Sequence, residues 1–393
     1  MKVFAFDLLA YPENLDHLKQ GGPELPYPLP KRHFNAKVAV RNYEEHLEAW
    51  VFMEDLGFDG VGFNEHHTSP YGLMTSPNLM AAAASQRTKR IKLLILGNLL
   101  PIHEPLRLAE ELSMLDCMSN GCLIAGFARG IPREYNVYGV SLSESRERFE
   151  EAWEIIKLAW MEESFSYEGK FWSYHDVAIW PRPVQQPHPP VRVPVTSSQE
   201  TIEWAARENI AINPGGQTPS VSQDIVLYYA ECLQKNGYQI TPDHITVGSS
   251  VHVADSREQA IEEAAPYTLY FNRTLFSHGN VYDRTLQQQA GYGTGVYDYM
   301  RPENRELMSR PPTFRNMTIE DIERNDRLPW GTPEEVIERL ISLADVMGAG
   351  TLQLNFNQGA MPHKMFMQQL ERFGKDVLPA LHAHEPATPR WGD

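Results

Sequence analysis

The chain has 393 residues, 42% hydrophobic and 22% charged, with 35 basic residues against 51 acidic ones for a formal net charge of −16. This is ordinary globular composition with enough chain for a large core, and its acidic field excludes a nucleic-acid partner, whose phosphates need a basic surface. Three cysteines without a CxxC (Cys117, Cys122, Cys232) argue against a disulfide framework, and the opening MKVFAFDLLAY, broken by Asp7, reads as neither signal peptide nor membrane span; a cytoplasmic protein without a membrane partner is expected.

Apolar runs and helical patterns alternate along the chain. The first run, Val3–Leu9, precedes a helix over Tyr43–Leu56 that Gly57 stops. A second run at Val61–Phe63 and a third at Ile91–Leu96 follow; the third lacks polar alternation, as in a strand buried on both faces. Pro105–Met118 starts with proline and carries Leu108, Leu112 and Leu115 on one stripe. After the run Leu123–Phe127 comes a helix over Ser143–Trp160. Pro181–Pro194 holds six prolines and reads as a rigid connection into Val191–Val195. Runs at Ile210–Ile212, Ile245–Val253 and Thr351–Phe356 complete eight candidate strands. Thr332-Pro333-Glu334-Glu335 reads as a cap, a first-turn proline and an acidic first turn before Val336–Met347.

Eight strand–helix repeats predict an α/β fold, a (β/α)8 TIM barrel, with an open doubly wound sheet as the other reading. The predicted organisation is one barrel domain over 1–381. A polar insertion at about 266–330, between the seventh strand and the last helix, reads as a lid, and 382–393 as a disordered tail.

In a barrel, chemistry lies at the C-terminal strand ends. The second run ends in Glu65-His66-His67, an acid and two imidazoles suited to proton handling near neutral pH. Neighbouring strand residues face opposite ways, so His66 and His67 are poor joint ligands, and no metal is expected. The third run ends in Gly97-Asn98, which either admits a flat ligand close to the backbone or is a plain turn. The fourth ends in Ala128-Arg129-Gly130, where a guanidinium could grip a phosphate. Arg146 is a second positive group or an ordinary helix-face charge. Ser197, Ser198 and Thr201 form an anion-binding helix start or a simple N-cap. No GxSxG, P-loop or catalytic-cysteine pattern is present. The glycine run Gly291–Gly295 follows no strand and is discounted as a dinucleotide motif.

FNEHH (63–67), LPIHEPLRLAEELSMLDCMSNGCLIAGFARG (100–130), TSSQETIEWAA (196–206), WGTPEEVIERL (330–340) and GAGTLQLNFNQGAMP (348–362) together resemble the bacterial luciferase-like family of flavin-dependent monooxygenases. The resemblance spans nearly the whole chain in order. It implies a TIM barrel using FMN, with reduced FMNH2 as co-substrate and O2 as substrate, by way of a flavin C4a-(hydro)peroxide that oxygenates a small organic molecule. It implies catalytic His66 beside Glu65 and His67. It implies a flavin held at Gly97, Asn98, Ala128, Arg129, Arg146, Ser197, Ser198 and Thr201, with a non-proline cis peptide at the third strand end. It further implies an NAD(P)H:flavin reductase as partner and a homodimer. Ala128 and Pro132 stand where bacterial luciferase has cysteine and tyrosine, which counts against light emission and a long-chain aldehyde. Arg273, Arg284 and the tyrosines of the predicted lid suggest a polar or anionic substrate. The alternatives are an F420-dependent hydride-transfer enzyme and a catalytically silent flavin-binding subunit.

Overall fold

The computed structural model describes residues 1–19, 21–22, 24–215, 218–279, 297–309, 314–324, 328–357 and 359–387. Eight parallel strands carry the fold: β1 Lys2–Asp7, β2 Gly60–Phe63, β3 Lys92–Ile95, β4 Leu123–Ala128, β5 Val191–Val195, β6 Ala211–Pro214, β7 Thr246–Ser250 and β8 Thr351–Asn355. They run in the order β7-β8-β1-β2-β3-β4-β5-β6. A parallel bridge between Ile212 and Ile245 joins the two ends, so the predicted barrel closes and the open sheet is set aside.

The helices that follow these strands are α1 Ala36–Leu56, α2 Pro77–Ser85, α3 Pro105–Met118, α4 Ser145–Met161, α5 Gln199–Arg207, α6 Pro219–Lys235, α7 Pro333–Met347 and α8 His363–Asp376. α1 begins earlier than its apolar stripe suggested, because Asn35 caps it by accepting from Lys37 N; it ends at left-handed Gly57, φ 95°. α7 starts as predicted, with Thr332 and Glu335 exchanging bonds in a capping box.

Strand alternation sorts the side chains. Val3, Ala5, Val61, Phe63, Leu93, Ile95, Leu352 and Leu354 face outward into the main core beneath the helices. Phe4, Leu94, Leu96 and Ile124, with Phe6 against them, form a separate cluster inside the barrel. Gly60 and Gly62 make room for it, since a Cβ on Gly60 would lie 2.4 Å from the Phe4 ring and one on Gly62 2.9 Å from that of Phe6.

Three features differ from the sequence reading. The Ile245–Val253 run divides, and His252–Val253 pairs with Trp330–Gly331 outside the barrel. An antiparallel hairpin, Phe165–Glu168 with Ser173–Val177, precedes the proline-rich connection. The predicted tail is in part packed: Leu378–Ala383 is helical, the Met1 ammonium donates to Leu381 O and His384 O, and His384 pairs with Asp345. Residues 388–393 lie outside the described residues. Among the described residues no helix is long and apolar enough to cross a membrane.

Of the predicted lid, Arg284 and Gly291–Gly295 lie outside the described residues. Its first part continues the helix Arg257–Tyr270 through a π-helical stretch, Phe271–Phe276. Tyr270, Phe271 and Leu275 pack there against Leu8, Tyr11 and Tyr71. Its 297–309 part docks on α6, where buried Asp224 accepts from Arg301 N, Arg301 Nε and Asn304 Nδ2.

Candidate active site

A cavity of 710 Å³ opens at the C-terminal strand ends. β1, β2 and β3 supply Phe6, Leu8, Asn64, Glu65, His66, Leu96 and Gly97, and the connections after β4 and β5 supply Ala128, Arg129, Arg146, Ser197, Ser198 and Thr201. Nine of the sequence-predicted site residues therefore line one chamber: Glu65, His66, Gly97, Ala128, Arg129, Arg146, Ser197, Ser198 and Thr201. His67 and Asn98 do not.

The Glu65-His66-His67 triplet splits into two networks because successive residues point apart. Glu65, only 2% exposed, accepts from His67 Nε2 (2.8 Å), His103 Nε2 (2.8 and 2.9 Å), Asn98 Nδ2 (3.3 Å) and Leu99 N (3.1 Å). Burial pushes its carboxyl up, but the bonds and charges of His103 and His67 outweigh that and hold it at about 2. Glu65 is therefore a fixed anion that ties β2 to the β3 end, and a poor proton shuttle. His67 is turned from the chamber, with Nδ1 against the Tyr138 hydroxyl at 2.9 Å. Neither Glu65 nor His67 hydrogen-bonds to His66, so any influence of the two on it is indirect.

His66 faces the chamber. Its ring packs on Tyr71 at 4.5 Å, and Nδ1 lies 3.1 Å from Glu134 Oε1. Glu134 is 2% exposed, and its other oxygen accepts from Ile131 N at the start of the helix Pro132–Tyr138. With a carboxylate as partner, Nδ1 carries the proton and Nε2 is left as the second nitrogen. The orienting partner of His66 is thus Glu134, which the sequence reading did not single out. Its place three residues after Ile131 reads as an ordinary helix start, and only the fold brings it to the β2 end.

The Leu96–Gly97 peptide is cis, as the resemblance implied. The glycines here answer to neighbouring backbone: a Cβ on Gly97 would lie 2.8 Å from Gly126 C and O, and one on Gly126 would lie 1.9 Å from Ile95 O. The Asn98 side chain is directed to Glu65, so any contact of this residue with a flat ligand falls to its backbone, as the resemblance implied.

At the far side, Arg129 Nη2 donates to Ser145 Oγ at 2.8 Å, and Arg146 Nη2 donates to Ser198 Oγ (3.1 Å) and Thr201 Oγ1 (2.6 Å) at the N-terminus of α5. Arg146 Nε and Nη1 are buried without a hydrogen-bond partner, although Nη1 lies 3.9 Å from the Glu150 carboxylate in an ion pair. Burial, then the charge of Arg129, lowers Arg146 to about 10. Ser198 also caps α5 and donates to Glu200 at 2.8 Å, so the cap reading is met and the hydroxyl also takes part in the Arg146 network. Two crowded guanidiniums and a helix start favour a doubly charged anion, and two Arg146 donors without a hydrogen bond fit the phosphate that the resemblance implies.

Arg273 is corrected as a substrate group: it donates to Met317 O at 2.7 Å, away from the cavity. Tyr71, Asn64, Asn213 and Gln353, which sequence reasoning passed over, do line the chamber. A signal for the last was present, since Thr351, Gln353 and Asn355 alternate with apolar neighbours in a strand whose outer face is covered by helices.

Residues 24–349 match the family model of the luciferase-like monooxygenases. The alkanal monooxygenase alpha chain of the Kryptophanaron alfredi symbiont is 25% identical over 84% of this chain and 90% of its own. The oxygenase component of the flavin-dependent trigonelline monooxygenase of Acinetobacter baylyi is 25% identical over 86% and 89%. The oxygenating constituent of 3,6-diketocamphane monooxygenase of Pseudomonas putida, a type II Baeyer–Villiger monooxygenase solved with FMN, shares the fold. Its TM-score is 0.72 at 19% identity, covering 97% of this chain and 98% of that one.

Proposed function

Because the chain belongs to the luciferase-like monooxygenases, we propose that it is an FMN-dependent oxygenase component, supplied with reduced FMN by a separate NAD(P)H:flavin reductase, that uses O2 to oxygenate a small organic substrate. Reduced FMN, when bound, supplies the electrons for oxygen activation. The observation that carries this reading is the half-buried Arg146 guanidinium, whose Nε and Nη1 make no hydrogen bond, beside Arg129 near the start of α5.

Arg129, Arg146, Ser197, Ser198 and Thr201 would hold the phosphate. Ala128 and the Leu96–Gly97 peptide would leave the chamber wall low enough for the ring system. His66 manages the proton: Glu134 fixes Nδ1, and Nε2 can accept a proton from a group in the chamber or return it. Phe6, Leu8, Leu96, Leu99 and Ile131 exclude water from the same space. Glu65 holds β2 and β3 in register behind it.

The test is a paired titration and a coupled turnover. The protein should bind FMN well ahead of riboflavin, which lacks the phosphate. With reductase, NADH and air it should consume oxygen with formation of an oxygenated product. His66→Ala should keep the FMN affinity and lose product per oxygen consumed. Unchanged product yield would remove His66 from the chemistry, and oxygen-independent oxidation of reduced F420 without any response to FMN would replace the FMN reading.

A further inference from the structure

We infer that the Asn213–Gln353 pair is a recognition element for a neutral amide or imide edge, an N–H beside a C=O, on the ligand seated in the barrel chamber; this rests on the chamber being a flavin and substrate site. Asn213 on β6 and Gln353 on β8 are separated by β7. They meet because β7 places Gly248, which has no side chain, opposite Gln353. Asn213 Nδ2 donates to Gln353 Oε1 at 2.6 Å. Both residues line the chamber and are more than nine-tenths buried, at 7% and 8% exposure.

A primary amide carries both donors and an acceptor. One bond between two amides leaves an acceptor on one and donors on the other. Asn213 Oδ1 is buried without a partner, and Gln353 Nε2 makes no hydrogen bond to a described residue. Exchanging oxygen and nitrogen on both side chains together preserves the bond and the complement, so one donor and one acceptor remain whichever assignment holds. Leaving the buried Asn213 oxygen unmet is unfavourable. An anion would set negative oxygen against the free acceptor, and a cation would leave the donors unmet. A neutral N–H/C=O edge satisfies both.

Two sources carry that edge: the pyrimidinedione of the flavin, or the substrate itself. Asn213→Leu and Gln353→Met, on different strands, each remove the complement, so either folded variant suffices. FMN affinity is read by fluorescence quenching, and uracil, a cyclic imide without phosphate, is titrated calorimetrically into FMN-saturated protein. A rise of about tenfold in the FMN Kd for each variant, with the double variant no weaker than the singles, supports the flavin source. Unchanged FMN affinity with wild-type uracil binding that both variants lose supports the substrate source. Unchanged FMN affinity together with absent or unchanged uracil binding overturns the inference and leaves the pair satisfied by water. If the wild type binds no FMN, the function reading falls, and the same uracil comparison on unloaded protein decides the pair.

Discussion

Glu65→Gln separates an ionised anchor from a proton shuttle. The carboxyl stands at about 2 in the folded chain against an ordinary 4.5. At about 1.4 kcal/mol per tenfold in proton affinity, the fold favours the charged form by roughly 3 kcal/mol. A glutamine keeps the shape but loses the charge and turns donors toward His103 or Leu99 N. The variant should therefore be less stable by about 3 kcal/mol at pH 7 in urea unfolding. A carboxyl held low in the native state binds its proton more readily when unfolded, so its contribution is complete above the ordinary value and fades as pH falls toward 2. The gap between wild type and variant should narrow by roughly 2 kcal/mol between pH 7 and pH 3. His103 titrates the other way: burial lowers it, but Glu65 raises it overall, so its contribution is complete below its ordinary value and is lost as pH rises past the raised one. The double variant Glu65→Gln/His103→Gln should cost little more than the worse single, since both remove one interaction. A variant within about 0.5 kcal/mol of wild type at pH 7, or a gap that widens in acid, would refute the anchor. So would a folded Glu65→Gln protein of native stability that had lost turnover alone.

Three further outcomes follow from the same geometry. Arg146→Met removes two bonds to α5 and two donors that make no hydrogen bond; FMN affinity should fall by roughly 10- to 100-fold while riboflavin affinity is unchanged, as read by fluorescence titration. Glu134→Gln should preserve FMN affinity and lower product formation by about 10- to 100-fold, because His66 loses the carboxylate that fixes its Nδ1; unchanged product formation would show that His66 acts without it. Gly126→Ala puts a methyl 1.9 Å from Ile95 O, backbone that cannot yield, so the protein should lose several kcal/mol (roughly 3 or more) or fail to accumulate; a soluble variant with native melting would contradict the strand packing.

The strand ends were legible because a barrel confines its chemistry to them, and Arg129, Ser198 and His66 could be found by counting runs. Glu65 was found in sequence beside His66 and His67, but of its two histidine partners only His67 is local; His103 arrives from the next strand's loop. Glu134 was hidden by a second task, closing a short helix. The interior pair was hidden for a different reason: Asn213 and Gln353 are separated by 139 other residues, and they touch only because Gly248 leaves a gap between their strands.

The sequence by itself determined the alternation of strand and helix, the caps at Thr332 and Ser198, and the motifs that mark the family, because each depends on residues within a few positions of one another. Closure of the barrel through Ile212 and Ile245, the partition of Glu65, His66 and His67 into two networks, and the bonds of Arg146 to the start of α5 were decided only by tertiary structure. Burial and charge act over ångströms in space, and local sequence does not record which side chains will share that distance.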